Sequence, residues 1–304
     1  MRPRMGHVSL FRIRGYYYNV IGRFYAHPKI VSRMVEHSVA RAKYGLLMRS
    51  AFRVFGPALI RFFGFPLDME VHRRARPLNR LLDVRGGERV LDVGCGVGYF
   101  TFEAVRLCRR RVRGPEECYA VGLDIVREDV GLARHAGRIN HAENASFTQG
   151  NGLMLPFKNA SFDKVLASEI IEHIHDDVSF LRELARVLKP GGTLVVTTPY
   201  DSSPVEYKQE HYKKIKRVHI LGGHVRSGYS LGSITEKLEN ASFTVTEHAF
   251  SYGRYTKLAR GIIKRLQWVG APIAWSVSWL EDFTDVKDGK CIIVSARKHR
   301  NLSS

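Results

Sequence analysis

Three glycines follow directly after a short apolar segment in the stretch VLDVGCGVGYF, residues 90–100. The β-branched run RVLDV (89–93) predicts a strand before the glycines, and an apolar periodicity over 99–110 predicts a helix after them. Glycine permits a tight turn and lets a ligand approach the backbone closely. The stretch therefore predicts a ligand-binding loop between a strand and a helix of an α/β domain.

Further strands and helices alternate along the middle of the chain. Apolar runs predict strands at 119–125, 163–168 and 192–199, and a helical periodicity over 177–188 ends before KPGG. Such alternation predicts a mostly parallel sheet with helices on both faces and right-handed crossovers.

The pattern changes after residue 200. SITE at 233–236 fits a capping box, in which Ser233 and Glu236 start a short helix that ends near Asn240. Two late strands are predicted at 243–250 and 291–298.

The spacing of the glycines distinguishes between kinds of nucleotide loop. A dinucleotide loop has the pattern GxGxxG, but the sixth position is Tyr99 when counted from Gly94 and Thr101 when counted from Gly96. The third glycine is absent, which argues against NAD or FAD. No GKS or GKT follows, so a P-loop is excluded as well.

The spacing DVGCGVG resembles that of class I S-adenosylmethionine-dependent methyltransferases. The stretches at 150–174, 181–199 and 223–243 resemble the type 11 branch of that family, and the likeness covers roughly residues 80–200 and, more weakly, residues up to 297. The resemblance implies a doubly wound, mostly parallel seven-stranded sheet, which is the Rossmann-like methyltransferase fold. It also implies S-adenosylmethionine as the cofactor and methyl transfer as the reaction.

The resemblance further implies which residues hold the cofactor. Asp124 ends the second strand, where the family's acidic residue accepts the ribose hydroxyls, and one carboxylate has room for both donors. The glycine turn at a helix N-terminus supplies backbone donors for the cofactor's carboxylate. The implied set is Asp92, Gly94, Cys95, Gly96, Gly98, Asp124, Ile125, Asn151, Gly152 and Glu169.

One position departs from the family pattern. The family often has Asp where this chain has Asn151, in contact with the adenine amino group. An amide oxygen still accepts a hydrogen bond. We therefore expect a weakened or re-oriented contact with adenine.

The polar residues after the predicted strand at 163–168 are candidates for the chemistry. Methyl transfer is an in-line displacement with a neutral leaving group, so alignment matters most, and a base is needed only where the nucleophile must lose a proton. His173 is the candidate general base, and Glu169 is a second candidate catalytic residue. The alternative for His173 is a structural role beneath the cofactor loop.

A metal-assisted function is an alternative for the same residues. Glu169, Glu172 and His173 form the pattern ExxEH, His224 follows downstream, and the two glutamates can share one helical face. Small-RNA 2′-O-methyltransferases hold a divalent ion with two glutamates and two histidines in a similar pattern. Many type 11 members carry EH and GHxR without a metal, and we expect no metal site here.

The net charge of +19 is concentrated at the two ends of the chain. Residues 1–80 hold 16 Lys and Arg against 3 Asp and Glu, residues 81–200 hold 15 against 16, and residues 201–304 hold 17 against 10. Basic ends around a nearly neutral middle predict an anionic partner, either a membrane surface or nucleic acid.

Two segments have the composition of a membrane interface. Arg41, Arg49, Arg53 and Arg61 are spaced by multiples of four in the apolar stretch 41–64, which suits an interfacial helix. The segment 266–280 is uncharged and contains all three tryptophans, which are typical of interfaces. The alternatives are a helical lid for the first segment and a wall of the substrate pocket for the second.

These patterns predict a basic, aromatic-rich helical extension over 1–78 and a methyltransferase domain over 79–304, with 200–230 and 255–285 on the substrate side. The four cysteines lack metal-binding spacing and are interpreted as reduced thiols of a cytosolic protein. We therefore expect a cytoplasmic location, with a peripheral position at the inner face of the membrane as a further expectation.

The expected function is methyl transfer from S-adenosylmethionine to an O, N or C nucleophile of a hydrophobic small molecule or lipid-like acceptor. An RNA methyltransferase that uses the basic ends is the first alternative. A cofactor-binding protein without catalytic activity is the second.

Overall fold

The computed structural model describes residues 69–111, 117–139, 142–202, 224–266 and 271–300. The predicted helix over 41–64 lies outside these residues, as does most of the predicted extension. The described residues form one compact unit, apart from Arg138 and Ile139.

One sheet of seven strands organises this unit, in the order β3-β2-β1-β4-β5-β7-β6. All neighbouring strands are parallel except β7, which runs antiparallel to β5 and to β6. The strands are β1 Arg89–Val93, β2 Tyr119–Asp124, β3 Ala145–Gln149, β4 Phe162–Ser168, β5 Leu188–Pro199, β6 Phe243–Ser251 and β7 Cys291–Lys298. The doubly wound, mostly parallel sheet implied by the resemblance is confirmed.

Helices flank the strands along the chain. They are α1 Met69–Leu82, α2 Tyr99–Arg111, α3 Arg127–Ile139, α4 Asp177–Val187, α5 Leu231–Asn240, α6 Arg254–Leu266 and α7 Ala271–Trp279. Two short 3-10 turns add Ile171–His173 after β4 and Leu280–Phe283 after α7.

The middle of the sheet forms the core. Val165, Leu166 and Ala167 of β4 are buried in succession, and so are Ile292 and Ile293 of β7. Consecutive buried residues arise because helices cover both faces of the sheet. The carboxyl ends of the parallel strands consequently meet at one edge, where the glycine loop and the residues after β4 lie.

Helix α1 crosses the predicted boundary at residue 78 and packs on β5, β6 and β7. Leu78 and Leu82 are almost completely buried. The helix therefore belongs to the unit that contains the sheet and brings arginines of the basic N-terminal part onto it.

Helix α5 begins earlier than the sequence predicts. Its N-cap is Ser230, whose hydroxyl accepts from Ser233 N–H at 3.1 Å while Ser233 Oγ accepts from Ser230 N–H at 3.0 Å. The predicted capping box of Ser233 and Glu236 is therefore wrong, because Ser233 already occupies the third position of the helix.

The interpretation of all four cysteines as reduced thiols is wrong for two of them. Cys108 in α2 and Cys118 just before β2 form a disulfide, with their Cα atoms 6.0 Å apart. Cys95 and Cys291 are free thiols. The argument from reduced thiols for a cytosolic location loses this support.

Candidate active site

The glycine loop joins β1 to α2 at the carboxyl edge of the sheet. Gly94, Gly96 and Gly98 all have positive φ, at 76°, 51° and 89°. A Cβ on Gly94 would lie 2.7 Å from Ile170, and one on Gly98 would lie 2.6 Å from the Phe147 ring. These two glycines are therefore needed for packing as well as for conformation.

Gly96 differs from the other two because its side opens into free space. No described atom lies within 4 Å of the position a Cβ would take. Its N–H donates to Asp124 Oδ2 at 2.8 Å. The loop thus presents bare backbone to a ligand at this residue, beside a carboxylate.

Asp124 ends β2 and is held by two backbone donors. Besides Gly96 N–H, it accepts from Val126 N–H at 2.9 Å through Oδ1. Burial raises the pKa of this carboxyl, and the two N–H donors oppose that rise. Each oxygen keeps a second lone pair, so both ribose hydroxyls of S-adenosylmethionine can still be accepted. The donor set and the open side of Gly96 fit this cofactor.

Asp92 lies beneath the loop rather than at its surface. Its side chain is buried and accepts from the Thr101 hydroxyl at 2.7 Å. Burial raises the pKa of Asp92 to about 7. Cys95 packs close by against Gly122, and burial raises the pKa of its thiol. Both side chains support the loop from below.

The residues that follow β2 and β3 lie at the same edge of the sheet, beside the glycine loop. Ile125 is 56% exposed directly after Asp124, and the Asn151 amide oxygen accepts from Leu153 N–H at 3.0 Å. A Cβ on Gly152 would meet the Phe180 ring at 2.8 Å. Met154 is 77% exposed and was not among the predicted site residues. The signal that identifies Met154 as a candidate is the exposure of a large apolar side chain at the edge of the sheet where a ligand is expected.

Glu169 follows β4 with a positive φ of 54°. Its Oε1 lies 3.1 Å from a guanidinium nitrogen of Arg74, accepts from the Thr197 hydroxyl at 3.2 Å and lies 3.4 Å from the Cys291 thiol. The Arg74 guanidinium also lies 5.8 Å from the centre of the Phe100 ring. Sequence reasoning missed Arg74 because α1 precedes the recognised motifs.

Glu172, His173 and His224 come together next to Glu169. The candidate ligand atoms of these three residues all lie within 4.8 Å of one another, and the two imidazole rings are 4.7 Å apart. Glu172 is fully buried and accepts from the Thr198 hydroxyl at 3.2 Å. Burial, and then the neighbouring Glu169, raise the pKa of Glu172 well above its ordinary value.

The expectation that Glu169 and Glu172 share a helical face is wrong. The helical turn covers only Ile171–His173, and the Glu169 carboxylate turns to Arg74 instead. The group that could hold a metal ion therefore contains one glutamate and two histidines.

Hydrogen bonds hold the segment that begins at residue 224 against the turn that contains His173. Val225 N–H donates to the Glu172 carbonyl at 2.9 Å, and the Arg226 guanidinium donates to the Ile174 carbonyl at 2.8 Å. Tyr229 donates its hydroxyl to Asp177 at 2.7 Å. These bonds fix His224 beside His173.

The chain is similar in sequence to known proteins. A family model described as a methyltransferase domain matches residues 85–247. Demethylmenaquinone methyltransferase of Lactococcus lactis is 33% identical over 50% of this chain and 58% of its own length. Methyltransferase GfsG of Streptomyces halstedii is 35% identical over 43% of this chain and 45% of its own length. The chain spans about half the length of the curated relatives it matches.

Solved structures show the same fold at low sequence identity. An S-adenosylmethionine-dependent methyltransferase from Mesorhizobium loti superposes with a TM-score of 0.52 at 18% identity, over 74% of this chain and 98% of that one. The cyclase SpnF gives 0.52 at 21% identity, over 83% of this chain and 95% of its own. Together with the family match and the geometry of the glycine loop and Asp124, these findings show that the chain belongs to the class I S-adenosylmethionine-dependent methyltransferases, in the type 11 branch.

Proposed function

We propose that the chain transfers a methyl group from S-adenosylmethionine to an O, N or C nucleophile of a hydrophobic small molecule or lipid-like acceptor. The observation that carries the proposal is the open backbone at Gly96 beside the Asp124 carboxylate, at the carboxyl edge of the sheet. The bound cofactor supplies an electrophilic methyl group on its sulfonium. The chain's own part is to hold that cofactor and align the acceptor with it.

The cofactor residues divide into those that contact it and those that support the loop. Asp124 accepts the ribose hydroxyls, Ile125 and Met154 offer apolar faces to the adenine, and Asn151 makes the re-oriented contact. The Asn151 amide oxygen accepts from Leu153 N–H and keeps a second lone pair for the adenine amino group. Asp92 acts through the loop, since it is buried against Thr101.

An acceptor site is supported at the carboxyl end of β6. A cavity of about 620 Å³ lies there, between α1, the end of β6 and the segment 281–287. Ser251 at this end pairs with Cys291, whose thiol is 3.4 Å from Glu169. Arginines of α1 line the cavity and suit the polar end of an acceptor. The position supports 255–285 as a substrate-side segment.

The hydrophobic character of the acceptor is supported by two relatives. One is named demethylmenaquinone methyltransferase, and another, from Gibberella zeae, is named sterol 24-C-methyltransferase and is 28% identical over 61% of this chain and 47% of its own length. His173, whose side chain is 31% exposed, is the proposed base for an acceptor that must lose a proton. An anionic membrane surface is the proposed macromolecular partner, with RNA as the alternative.

Calorimetry tests the cofactor assignment. S-adenosylmethionine and its demethylated product are expected to bind, and NAD is not. Asp124→Ala should weaken binding by ~1–3 kcal/mol, because the ribose hydroxyls lose a charged acceptor. Asp288→Ala, at an exposed position, is the control and should bind normally. Unchanged binding after the double change Gly96→Val and Asp124→Ala contradicts the assignment.

Mass spectrometry of a cell extract tests the reaction. Incubation with the protein and S-adenosylmethionine should add one methyl group to a hydrophobic component, and His173→Ala should reduce the rate only for an acceptor that must be deprotonated. Methylated RNA in place of a small molecule supports the first alternative. Intact cofactor binding without any methylated product supports the non-catalytic one.

The grouping of Glu172, His173 and His224 favours metal-assisted transfer as a second candidate. Our proposal is transfer without a metal, so a chelator should leave the activity largely intact. Activity that is lost on chelation and restored by magnesium, manganese or cobalt supports the second candidate instead. Glu172→Gln should then abolish the restoration, whereas Glu169→Ala should abolish it only if that carboxylate leaves Arg74.

A further inference from the structure

Helices α6 and α7, with the turn Leu280–Phe283, carry a concentration of exposed apolar side chains. Each is between 46% and 72% exposed. They are Leu258, Leu266, Ile273, Trp279, Leu280 and Phe283. The exposed side chains of these three elements are called the hairpin surface below.

The inner side of the two helices is already packed. Ala259 and Ala274 are completely buried where α6 and α7 meet, and Ile262, Ile263 and Trp275 pack around them. The six exposed apolar residues are thus additional to the contacts that hold the two helices together. Their exposure therefore calls for a partner outside the described residues.

The charge on the hairpin surface is of one sign. Residues 254–280 contain five Lys and Arg and no Asp or Glu. The next two acids turn towards the protein: Glu281 is 7% exposed and accepts from Thr256 N–H at 3.0 Å, and Asp282 accepts from Arg73 at 2.8 Å. Exposed cations and exposed apolar side chains therefore both occur along 254–280, a stretch whose sequence contains no carboxylate.

A basic cleft lies at one side of α6. Its volume is about 170 Å³, and Lys257, Arg260 and Lys290 line it together with Tyr252, Thr256 and Gly261. Lys257, Arg260 and Lys290 are exposed. Three converging cations suit a phosphate group.

We propose that the hairpin surface docks on an anionic lipid bilayer, with a phospholipid phosphate in the basic cleft and the exposed apolar residues in the interfacial layer. The combination of basic residues with exposed leucine, tryptophan and phenylalanine is that of an interfacial helix. Nucleic acid would use the cations but leaves most of the apolar side chains in water. No helix among the described residues is long and apolar enough to cross a bilayer.

This inference does not depend on methyl transfer. Its readout is binding, so it can fail, together with the proposed membrane partner, while the proposed methyl transfer stands, and the reverse also holds. The hairpin surface adjoins the cavity lined by Glu281 and Asp282, so docking brings that cavity to the layer where a hydrophobic acceptor resides.

Vesicle flotation of the full chain tests the electrostatic part. The protein should bind vesicles that contain phosphatidylglycerol and bind poorly to phosphatidylcholine alone. Replacing Lys257 and Arg260 by Gln should weaken binding to the anionic vesicles by about thirtyfold, since two charges near the surface are lost. The matched control replaces the exposed Lys158 and Arg182 by Gln and should bind like the unaltered chain.

A second pair of variants tests the apolar part. Phe283→Ser should weaken vesicle binding, whereas Tyr119→Ser, which removes an exposed ring at the amino end of β2, should not. Lipids with brominated acyl chains should quench the tryptophan fluorescence of the bound protein. Trp279→Phe should remove much of this quenching, because Trp279 is proposed to lie in the interfacial layer. Unchanged affinity for S-adenosylmethionine shows that each variant is folded.

Four outcomes overturn the proposal. Two concern charge: equal binding to neutral and anionic vesicles, and full binding by the variant without Lys257 and Arg260. The third is the loss of all vesicle binding when inorganic phosphate competes. The fourth is self-association in solution that Phe283→Ser abolishes while vesicle binding persists. Preferential binding of an RNA oligonucleotide through Lys257 and Arg260, without vesicle binding, assigns the surface to nucleic acid.

Discussion

At the scale of single residues, two carboxylates near the glycine loop have different tasks because their surroundings differ. Asp124 is held by two backbone N–H groups at the edge of the sheet, where we propose that it accepts the ribose hydroxyls. Asp92 has a hydroxyl partner, Thr101, and lies in the interior. Desolvation favours the neutral form of a carboxyl group, and this effect dominates at Asp92.

Asp92 makes the stability of the fold depend on pH. Its pKa is about 7 in the folded chain against an ordinary value of 3.8, so the folded state holds this proton more tightly than the unfolded state. The stabilisation is complete below the ordinary value and is lost as the pH rises through about 7. Asp92→Asn keeps an acceptor for the Thr101 hydroxyl but does not titrate. The free energy of unfolding of this variant should therefore fall less between pH 4 and pH 8 than that of the unaltered chain.

Urea unfolding at several pH values measures this difference. The expected change in relative stability is on the order of 2–4 kcal/mol across that interval. Asp288→Asn, at an exposed position, is the control. Parallel pH profiles for the original chain and Asp92→Asn contradict an uncharged Asp92 in the fold.

The sequence predicts the positions of the site residues better than their orientations. The spacing of Gly94, Gly96 and Gly98 and the place of Asp124 at a strand end are local properties, and the structure brings them together as expected. The direction of the Glu169 side chain depends on Arg74, which lies far away in sequence. Local patterns carry no information on such a pair.

At the scale of elements, the sequence predicts long apolar strands well and polar edges poorly. The bounds of β1 and β7 agree with the predicted runs, since their buried residues are consecutive. Strand β3 was missed because ASFTQ is mostly polar and only partly buried at the edge of the sheet. Helix ends are likewise set by one capping bond, as α5 illustrates.

The start of α5 gives a direct test of that capping bond. Ser230→Ala should destabilise the chain by about 1 kcal/mol. The Ser233 N–H loses its side-chain acceptor, and the Ser233 hydroxyl that accepts from the residue 230 N–H loses the support of the Ser230 hydroxyl. Glu236→Ala, which removes the residue of the predicted box, should have little effect since that side chain is exposed. Thermal unfolding of both variants distinguishes the two caps. Equal destabilisation by both changes contradicts Ser230 as the sole N-cap.

At the scale of the whole molecule, part of the basic charge is used inside the fold. Four arginines of the N-terminal excess lie on α1, and their partners are carboxylates elsewhere in the chain: Arg73 and Arg76 contact Asp282, Arg74 contacts Glu169, and Arg80 contacts Glu247. Net charge alone therefore overstates the charge available to an anionic partner. The exposed basic residues Lys257 and Arg260 of α6 carry the argument for such a partner better than the total does.

The position of β7 has a consequence for synthesis of the chain. This strand is the last of the seven described strands to be made, yet it lies between β5 and β6, and its Ile292, Ile293 and Val294 are almost completely buried. Until residue 298 has left the ribosome, β5 has an open edge and β6 has no neighbour in the sheet. A nascent chain in that state exposes a long apolar strand edge, which is a site for mispairing. The cofactor loop, by contrast, is flanked by strands that are all translated by residue 199, so the ligand edge can form while the far side of the sheet still waits for its final strand.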